Sequence, residues 1–164
     1  MGNNWKITDT LTKVFAEEVP DGQGSIRLST LHRETVSCVI AYFGAADWGR
    51  YWKVSVKAPE KIETRLRRVE LVPSAYPCHK EQDDNYLRIV PGMYPDLLRD
   101  LDTEDDGADK KYLTKEVPGQ WRSLWLDVTV DAELAGGDYA IVIETETEDG
   151  EKETLKADLH VVDA

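Results

Sequence analysis

The chain has 164 residues, of which 41% are apolar and 32% are charged. This length is typical of one domain with its own hydrophobic core, and the composition excludes both a disordered chain and a membrane-embedded one. The 32 Asp and Glu residues outnumber the 20 Lys and Arg residues, so the formal net charge is −12. Such a field repels phosphate backbones and anionic lipids, so nucleic acid and membrane are not expected as partners.

The N-terminal segment 1–15 is polar and lacks the basic and then apolar layout of a secretory signal. No apolar run in the chain approaches the ~20 residues that are needed to cross a bilayer. The sequence therefore predicts a cytoplasmic protein, with residues 1–164 forming a single domain.

Four segments are predicted to be β-strands from their apolar and β-branched content and from the turn residues between them. They cover residues 34–43, 51–58, 65–72 and 121–130. Trp52, Val54 and Val56 share one face of the second segment. Cys38 lies in the apolar run of the first, which predicts a small buried hydrophobic side chain and not a reactive thiol.

The stretch 73–118 has no clear periodicity and is too long for an ordinary connection. We expect a long irregular excursion that packs across the domain or serves a function of its own. A short helix is predicted within it over residues 96–100, directly after Pro95. The second cysteine, Cys78, also falls in this stretch, where nothing supports a reactive thiol.

The strongest local signal lies near the C-terminus. Two β-rich runs, 138–147 and 152–163, flank Glu148-Asp-Gly-Glu151, and Asp-Gly supplies the positive φ angles of a tight hairpin turn. In the second run one face is predicted to be buried and carries Leu155, Ala157, Leu159 and Val161. Short strands separated by Gly, Pro and Asp turns predict an all-β fold, namely an immunoglobulin-like antiparallel β-sandwich.

The strand predicted over residues 121–130 carries large apolar side chains on both faces. One face is assigned to the core and contains Leu124, Leu126, Val128 and Val130. Trp121 and Trp125 lie on the opposite face among polar neighbours. Exposed indole rings usually mark an interaction site.

Three interpretations of these two tryptophans remain open. The 73–118 excursion covers them, or another domain packs against them, or they form a platform on which a sugar ring stacks. Trp48, Trp52 and several tyrosines are compatible with the platform without making it specific.

No group of residues nominates a catalytic centre, a metal site or a cofactor. Asp102-Thr-Glu-Asp-Asp-Gly107 begins like a calcium loop, but its twelfth position is Leu113, where that motif needs a bidentate carboxylate. A solvated acidic loop is therefore expected there. The pair Cys78 and His79 has no further partner in sequence, and zinc-like spacing is absent from the three histidines, His32, His79 and His160.

Several stretches, taken in order, resemble the N-terminal β-sandwich of glycoside hydrolase family 123-like proteins, which are relatives of β-N-acetylgalactosaminidases. Pro91-Gly-Met-Tyr-Pro-Asp96 and Gly119-Gln-Trp-Arg-Ser-Leu-Trp125 contribute most to the resemblance. Weaker matches lie at residues 11–15, 31–43, 69–74, 84–88 and 135–139.

In that family the sandwich precedes a (β/α)₈-type catalytic domain, which uses an adjacent Asp-Glu pair and the acetamido group of the substrate as nucleophile. This chain contains no Asp-Glu dipeptide. The resemblance therefore implies a non-catalytic accessory domain that supports a C-terminal catalytic domain of the same polypeptide. Two alternatives are a carbohydrate-binding module that holds glycan on surface tryptophans, and a protein-interaction scaffold unrelated to sugars. The residues nominated for a carbohydrate or interdomain surface are Trp48, Tyr94, Trp121, Arg122 and Trp125.

Overall fold

A computed structural model describes residues 4–44, 50–76, 86–105 and 110–163. The regular structure in these ranges consists of β-strands, without any helix, which confirms the predicted all-β class. The strands are β1 (Trp5–Thr8), β2 (Ser25–Leu31), β3 (Thr35–Phe43), β4 (Tyr51–Lys57), β5 (Ile62–Ser74), β6 (Gly92–Asp100), β7 (Asp102–Asp105), β8 (Lys110–Lys115), β9 (Trp121–Val130), β10 (Gly137–Thr147) and β11 (Lys152–Val162). The described ranges contain no helix that is long and apolar enough to span a membrane.

The strands form the two sheets of the expected sandwich. A five-stranded sheet has the order β1-β3-β9-β5-β6, and a six-stranded sheet has the order β2-β11-β10-β4-β8-β7. The paired strands are antiparallel with one exception, because β2 lies parallel to β11. The fold class is confirmed, and the parallel pair is an addition that the sequence did not predict.

The predicted C-terminal hairpin is formed by β10 and β11, which pair from Gly137↔Val161 to Glu146↔Lys152. Gly150 takes up the left-handed conformation of the turn, with φ of 82°. Its N–H donates to the carbonyl of Thr147 at 3.0 Å, and the Thr147 N–H donates to the carbonyl of Glu151 at 2.9 Å. The Asp-Gly turn chemistry therefore fixes the register of the pair.

The core lies between the two sheets. The inner face of β9 is buried as predicted, through Leu124, Leu126, Val128 and Val130. Side chains from the opposite sheet pack against it, among them Ile141, Ile143, Leu155, Leu159 and Val161. Full burial of one such side chain stabilises the fold by about 1.5–3 kcal/mol.

One end of the core has a polar lining. The Trp5 ring stacks on the Tyr42 ring with 4.9 Å between their centroids. The Trp5 ring also meets the Trp52 ring edge to face, with 5.0 Å between their centroids. The Tyr42 hydroxyl shares a 2.7 Å hydrogen bond with Thr114, and the Trp52 indole N–H donates to the buried carboxylate of Glu116. Trp52 is therefore a core residue, as its alternation with polar neighbours predicted.

The stretch 73–118 is not an irregular excursion where the structure describes it, because β6, β7 and β8 occupy most of it. The helix predicted over residues 96–100 is wrong. These residues form the end of β6, where Leu97 faces Glu70 and Asp100 faces Arg67 across the pair with β5. Pro95 is tolerated because β6 is an edge strand and does not need every N–H for pairing.

The calcium-like segment is an exposed edge strand at its first four positions, since β7 pairs with Lys110 and Lys111 of β8. Its remaining positions include residues 106 and 107, which lie outside the described residues, as do Trp48, Cys78 and His79. Among the residues that the structure does describe, no group of three or more His, Cys, Asp or Glu could hold a metal ion.

Cys38 is expected to be chemically inert in the folded protein. Burial, with a smaller contribution from the charge of Asp127, raises the pKa of the Cys38 thiol to about 12. In a Cys78→Ser variant, the remaining thiol should therefore not react with a disulfide reagent at pH 8 until denaturant unfolds the chain. Rapid labelling of a variant whose far-ultraviolet circular dichroism is native would contradict the burial of β3.

Candidate functional site

Trp121 is not exposed on the outer face of the five-stranded sheet. Its side chain is only 7% exposed and packs in a second apolar cluster with Val14, Val39 and Ala41. Its backbone N–H donates to the carbonyl of Ala16 at 2.8 Å. The cover of Trp121 is therefore the connection between β1 and β2, and not the 73–118 stretch that one of the three open interpretations named.

Trp125 is half-buried at the edge of the same cluster, and its polar edge is already occupied. Its indole N–H donates to Oδ1 of Asp127 at 2.7 Å, and Ser37 Oγ donates to the same oxygen at 2.7 Å. Arg67 Nη2 reaches the other oxygen of Asp127 at 2.5 Å. Asp127 thus collects three donors from three neighbouring strands.

The environment of Asp127 favours its ionised form. Burial acts to raise the pKa of this carboxyl group, but the hydrogen bonds from Ser37, Trp125 and Arg67, with the charge of Arg67, outweigh burial and lower it. A carboxylate with these fixed partners is suited to organising the outer face of the sheet. It is poorly suited to accepting a proton at neutral pH.

Arg122 does not join the tryptophans between which it lies in sequence. Alternate residues of a strand point to opposite faces, and Arg122 is paired with Tyr42, whose side chain belongs to the core. Its Nη2 donates to the side chain of Gln120 at 3.0 Å, while its Nε is buried without a hydrogen-bond partner among the described residues. The structure therefore separates Arg122 from Trp121 and Trp125.

Tyr94 lies in a groove of about 550 Å³ beside the β5–β6 pair. Its ring meets Phe15 edge to face at 5.9 Å, and its hydroxyl donates to the carbonyl of Val90 at 2.5 Å. Other side chains that line the groove are Lys13, Pro73, Ser74, Tyr86, Leu87 and Asp96. This combination of aromatic, aliphatic and polar groups is typical of a binding groove.

Arg88 joins two segments: the β1–β2 connection, which covers Trp121 and is called the covering loop below, and the segment that precedes β6. Its guanidinium lies 3.9 Å from the centre of the Phe15 ring. Its Nη2 is 2.7 Å from Glu17 Oε1 and also pairs with Glu18. The Arg88 side chain is only 12% exposed, so a single cation joins two segments that are distant in sequence.

Tyr94 is a residue that the sequence nominates, whereas Phe15 and Arg88 are not. Phe15 is one of only two phenylalanines in the chain, and its contacts with Arg88 and Tyr94 span 73 and 79 residues of sequence. The sequence feature that could have indicated Arg88 is the run Tyr-Leu-Arg-Ile-Val at residues 86–90, in which one cation lies among four apolar residues. Trp48, the fifth nominated residue, lies outside the described residues.

The fold and the comparisons with known proteins define the chain as a β-sandwich domain. Neither a protein-family model nor a curated protein matches it. Among solved structures it is similar to a family 123 glycoside hydrolase from Clostridium perfringens, studied for glycolipid glycan hydrolysis, with a TM-score of 0.66 and 9% identity. That match covers 98% of this chain but only 27% of the hydrolase, so this chain spans about a quarter of its length.

Other similar structures are β-sandwich domains with lower scores. The N-terminal domain of PorA gives a TM-score of 0.46 at 8% identity, over 96% of both chains. The collagen-binding subdomain of the Enterococcus faecalis surface protein ACE gives 0.41 at 8% identity, over 85% of this chain and 94% of that one. At such identities the similarity shows the fold alone.

The Asp127 network is expected to stabilise the protein in a pH-dependent way. Because the folded-state pKa is lowered, its contribution is fully present above the unfolded-state pKa of about 3.9 and is lost as pH falls through the folded value. Asp127→Asn should lower the free energy of unfolding by about 1–3 kcal/mol at pH 7. Urea unfolding should show this difference shrinking below about pH 4.

Ser37→Ala is the control for that measurement, because it removes one donor and leaves the carboxylate. Its smaller cost of about 0.5–1.5 kcal/mol should change less than that of Asp127→Asn when the pH falls below about 4. If Asp127→Asn lowers the free energy of unfolding by the same amount in strong acid as at pH 7, the negative charge of Asp127 does not contribute to stability.

Arg88 is expected to hold the covering loop in place. In Arg88→Ala, amide hydrogen exchange over residues 13–18 should become about tenfold faster, because local opening then breaks fewer contacts. Arg99→Ala is the matched control, since Arg99 is exposed and lies 3.9 Å from Glu70. Equal exchange in both variants would show that Arg88 does not restrain the loop.

Proposed function

We propose that this chain is a non-catalytic accessory β-sandwich of a carbohydrate-processing protein, in which it supports a catalytic domain like that of the family 123 glycoside hydrolases. The observation that carries the proposal is the match to such a hydrolase, with a TM-score of 0.66 over 98% of this chain and 27% of that one. In that protein the same fold is one part of a larger chain.

The two sequence stretches that resemble the family support the proposal from a separate direction. Pro91-Gly-Met-Tyr-Pro-Asp96 enters β6 and contributes Tyr94 to the groove. Gly119-Gln-Trp-Arg-Ser-Leu-Trp125 enters β9 and contributes both outer-face tryptophans. The resembling stretches therefore contain Tyr94 of the groove and the two tryptophans of the outer-face cluster.

The partly or fully buried carboxylates on the outer face and in the core have structural partners. Asp127 accepts from Ser37, Trp125 and Arg67, and Glu116 accepts from Trp52. Most glycosidases use two carboxyl groups that flank the glycosidic bond, and substrate-assisted ones also need a carboxyl group that is available as an acid. These occupied carboxylates favour a supporting role over a catalytic one.

A carbohydrate-binding module is the alternative that a specific observation favours. The Tyr94 groove places the aromatic rings of Tyr86 and Tyr94 beside polar groups of Lys13, Ser74 and Asp96. An aromatic face with nearby hydrogen-bonding groups is how proteins bind sugar rings. The outer-face tryptophans support this alternative less, because Trp121 is buried and the N–H of Trp125 is occupied.

The proposed function predicts a further domain, with an adjacent Asp-Glu pair, in the native reading frame of this chain. It also predicts that the 164-residue protein releases no aryl alcohol from aryl β-N-acetylgalactosaminides, because the chemistry belongs to that other domain. A spectrophotometric assay checks the second point. Turnover by the 164-residue protein, or a reading frame that encodes nothing further, would contradict the proposal.

A glycan array distinguishes the alternative from the proposed function. Glycan binding that is lost in Tyr86→Ala, while circular dichroism stays native, would favour a carbohydrate-binding module at the Tyr94 groove. Leu11→Ala is the control, because Leu11 is highly exposed and does not line the groove. Capture of a protein partner without glycan binding would instead favour a scaffold unrelated to sugars.

A further inference from the structure

Three arginines lie on the core-facing side of the five-stranded sheet, at the end where β9 begins. Arg68 pairs with Leu124 across the β5–β9 ladder, and Arg122 precedes Leu124 by two residues. Both arginines therefore leave the sheet on the same face as Leu124. Arg99 lies directly opposite Arg68 on β6. We refer to Arg68, Arg99 and Arg122 as the arginine cluster.

The arginine cluster has one carboxylate partner among the described residues. The Arg68 Nε donates to Oε1 of Glu70 at 2.8 Å, and the Arg99 Nε lies 3.9 Å from the same oxygen. Arg122 donates instead to the neutral side chain of Gln120, at 3.0 Å. The cluster thus has three positive charges and one negative partner, although the whole chain carries a net charge of −12.

This excess of positive charge is unfavourable in the folded chain. Like charges directly opposite each other on neighbouring strands are destabilising, and Arg68 and Arg99 form such a pair. The guanidinium of Arg122 is only partly hydrated, because its Nε is buried and has no hydrogen-bond partner in the described part of the chain. A second anion beside the cluster would offset both costs.

The arginine cluster lies at the rim of the core, within reach of solvent. The side chains of Arg68 and Arg99 are 30% and 62% exposed. Burial raises the pKa of the Tyr42 hydroxyl, whereas a hydrogen bond with Thr114 and the charges of Arg68 and Arg122 act to lower it. The two cations therefore act on one hydroxyl at the polar end of the core, next to an accessible third cation.

Covering the core with aliphatic stems does not account for this arrangement. An arginine that only covers apolar side chains keeps its charged head in water. Here Arg68 directs its guanidinium at Glu70, and part of the Arg122 guanidinium is buried. The carboxylate of Glu116, beside the opposite sheet, is already engaged by the indole N–H of Trp52. The donors that Glu70 leaves over are consequently suited to an anion from outside the described residues.

We infer that the arginine cluster binds an oxyanion group, that is, a carboxylate, sulfate or phosphate. Guanidinium groups present several N–H donors in a planar fork that matches the oxygens of such groups. Glu70 fixes the Arg68 end of the cluster, and Arg99 and Arg122 contribute cations without a close carboxylate among the described residues. The inference is independent of the proposed function, so either can fail without the other.

Side-chain nuclear magnetic resonance tests the inference on the 164-residue chain. The Nε–H signal of Arg122 is the probe, because a buried N–H exchanges slowly with water. Sodium acetate, sulfate and phosphate are titrated separately at an ionic strength held constant with sodium chloride, since screening alone also changes charge interactions. At least one of the three anions should move this signal to saturation.

Arg68→Met should weaken that binding by about tenfold or more, because it removes a charge-assisted donor and keeps an apolar stem. Arg27→Met is the matched control. It removes the same charge from an exposed residue of β2, in the opposite sheet, and should leave the binding unchanged. Equal weakening in the two variants would reveal a general effect of net charge and overturn the site.

The response to each anion identifies the ligand. Saturation by acetate alone indicates a carboxylate, and saturation by sulfate or phosphate alone indicates a sulfated or phosphorylated ligand. In the full polypeptide of the native reading frame, an Arg122 signal already at its bound position would make the oxyanion a carboxylate of that polypeptide, whereas a signal that still titrates would make it a separate ligand. No saturable shift with any of the three anions would overturn the inference and leave the proposed function standing.

Discussion

The constraint on which the structure depends is that β9 carries large apolar side chains on both faces. It lies between β3 and β5 in the five-stranded sheet, so its backbone is fully paired and each face needs a cover. The opposite sheet covers Leu124 and Leu126, and on the outer face Val14 packs against Trp121. Because burial of each such side chain contributes about 1.5–3 kcal/mol, the path of the β1–β2 connection over the sheet follows from the composition of β9.

The outer face is completed by polar groups that satisfy one another. Asp127 lies two residues beyond Trp125 on the same face and binds its indole N–H, while Ser37 and Arg67 reach it from the flanking strands β3 and β5. A buried indole N–H or carboxylate without a partner is costly, and this arrangement gives both groups a partner where the apolar cluster ends. Among the described residues, the Nε of Arg67 is the group of this network that stays buried without a hydrogen bond. The tryptophan face is consequently a second, small core, which explains why Trp121 does not form an open platform.

Sequence predicted those parts of the fold that local chemistry determines. The β10–β11 hairpin follows from Asp-Gly, and both faces of β9 follow from strict alternation. The helix predicted over residues 96–100, at the end of β6, is wrong because pairing with β5 overrides the local preference of Asp96-Leu-Leu-Arg, which follows a proline and contains good helix formers. The Phe15–Arg88 contact could not be predicted, since it depends on how two distant segments meet across a sheet. Trp121, Trp125 and Tyr94 were each nominated from the sequence. Only the folded structure shows that the two tryptophans and Tyr94 belong to different sites.

The β1–β2 connection makes two separate sets of contacts, because its adjacent residues Val14 and Phe15 pack against different neighbours. Val14 closes the apolar cluster over Trp121, and Phe15 receives Arg88 and Tyr94. The second contact withdraws a cation from water, which costs desolvation energy, while Leu87 and Val90 remain exposed and forfeit about 1.5–3 kcal/mol each. The same loop therefore stabilises two places at once, because it buries Trp121 through Val14 and fixes the segment that precedes β6 through Phe15.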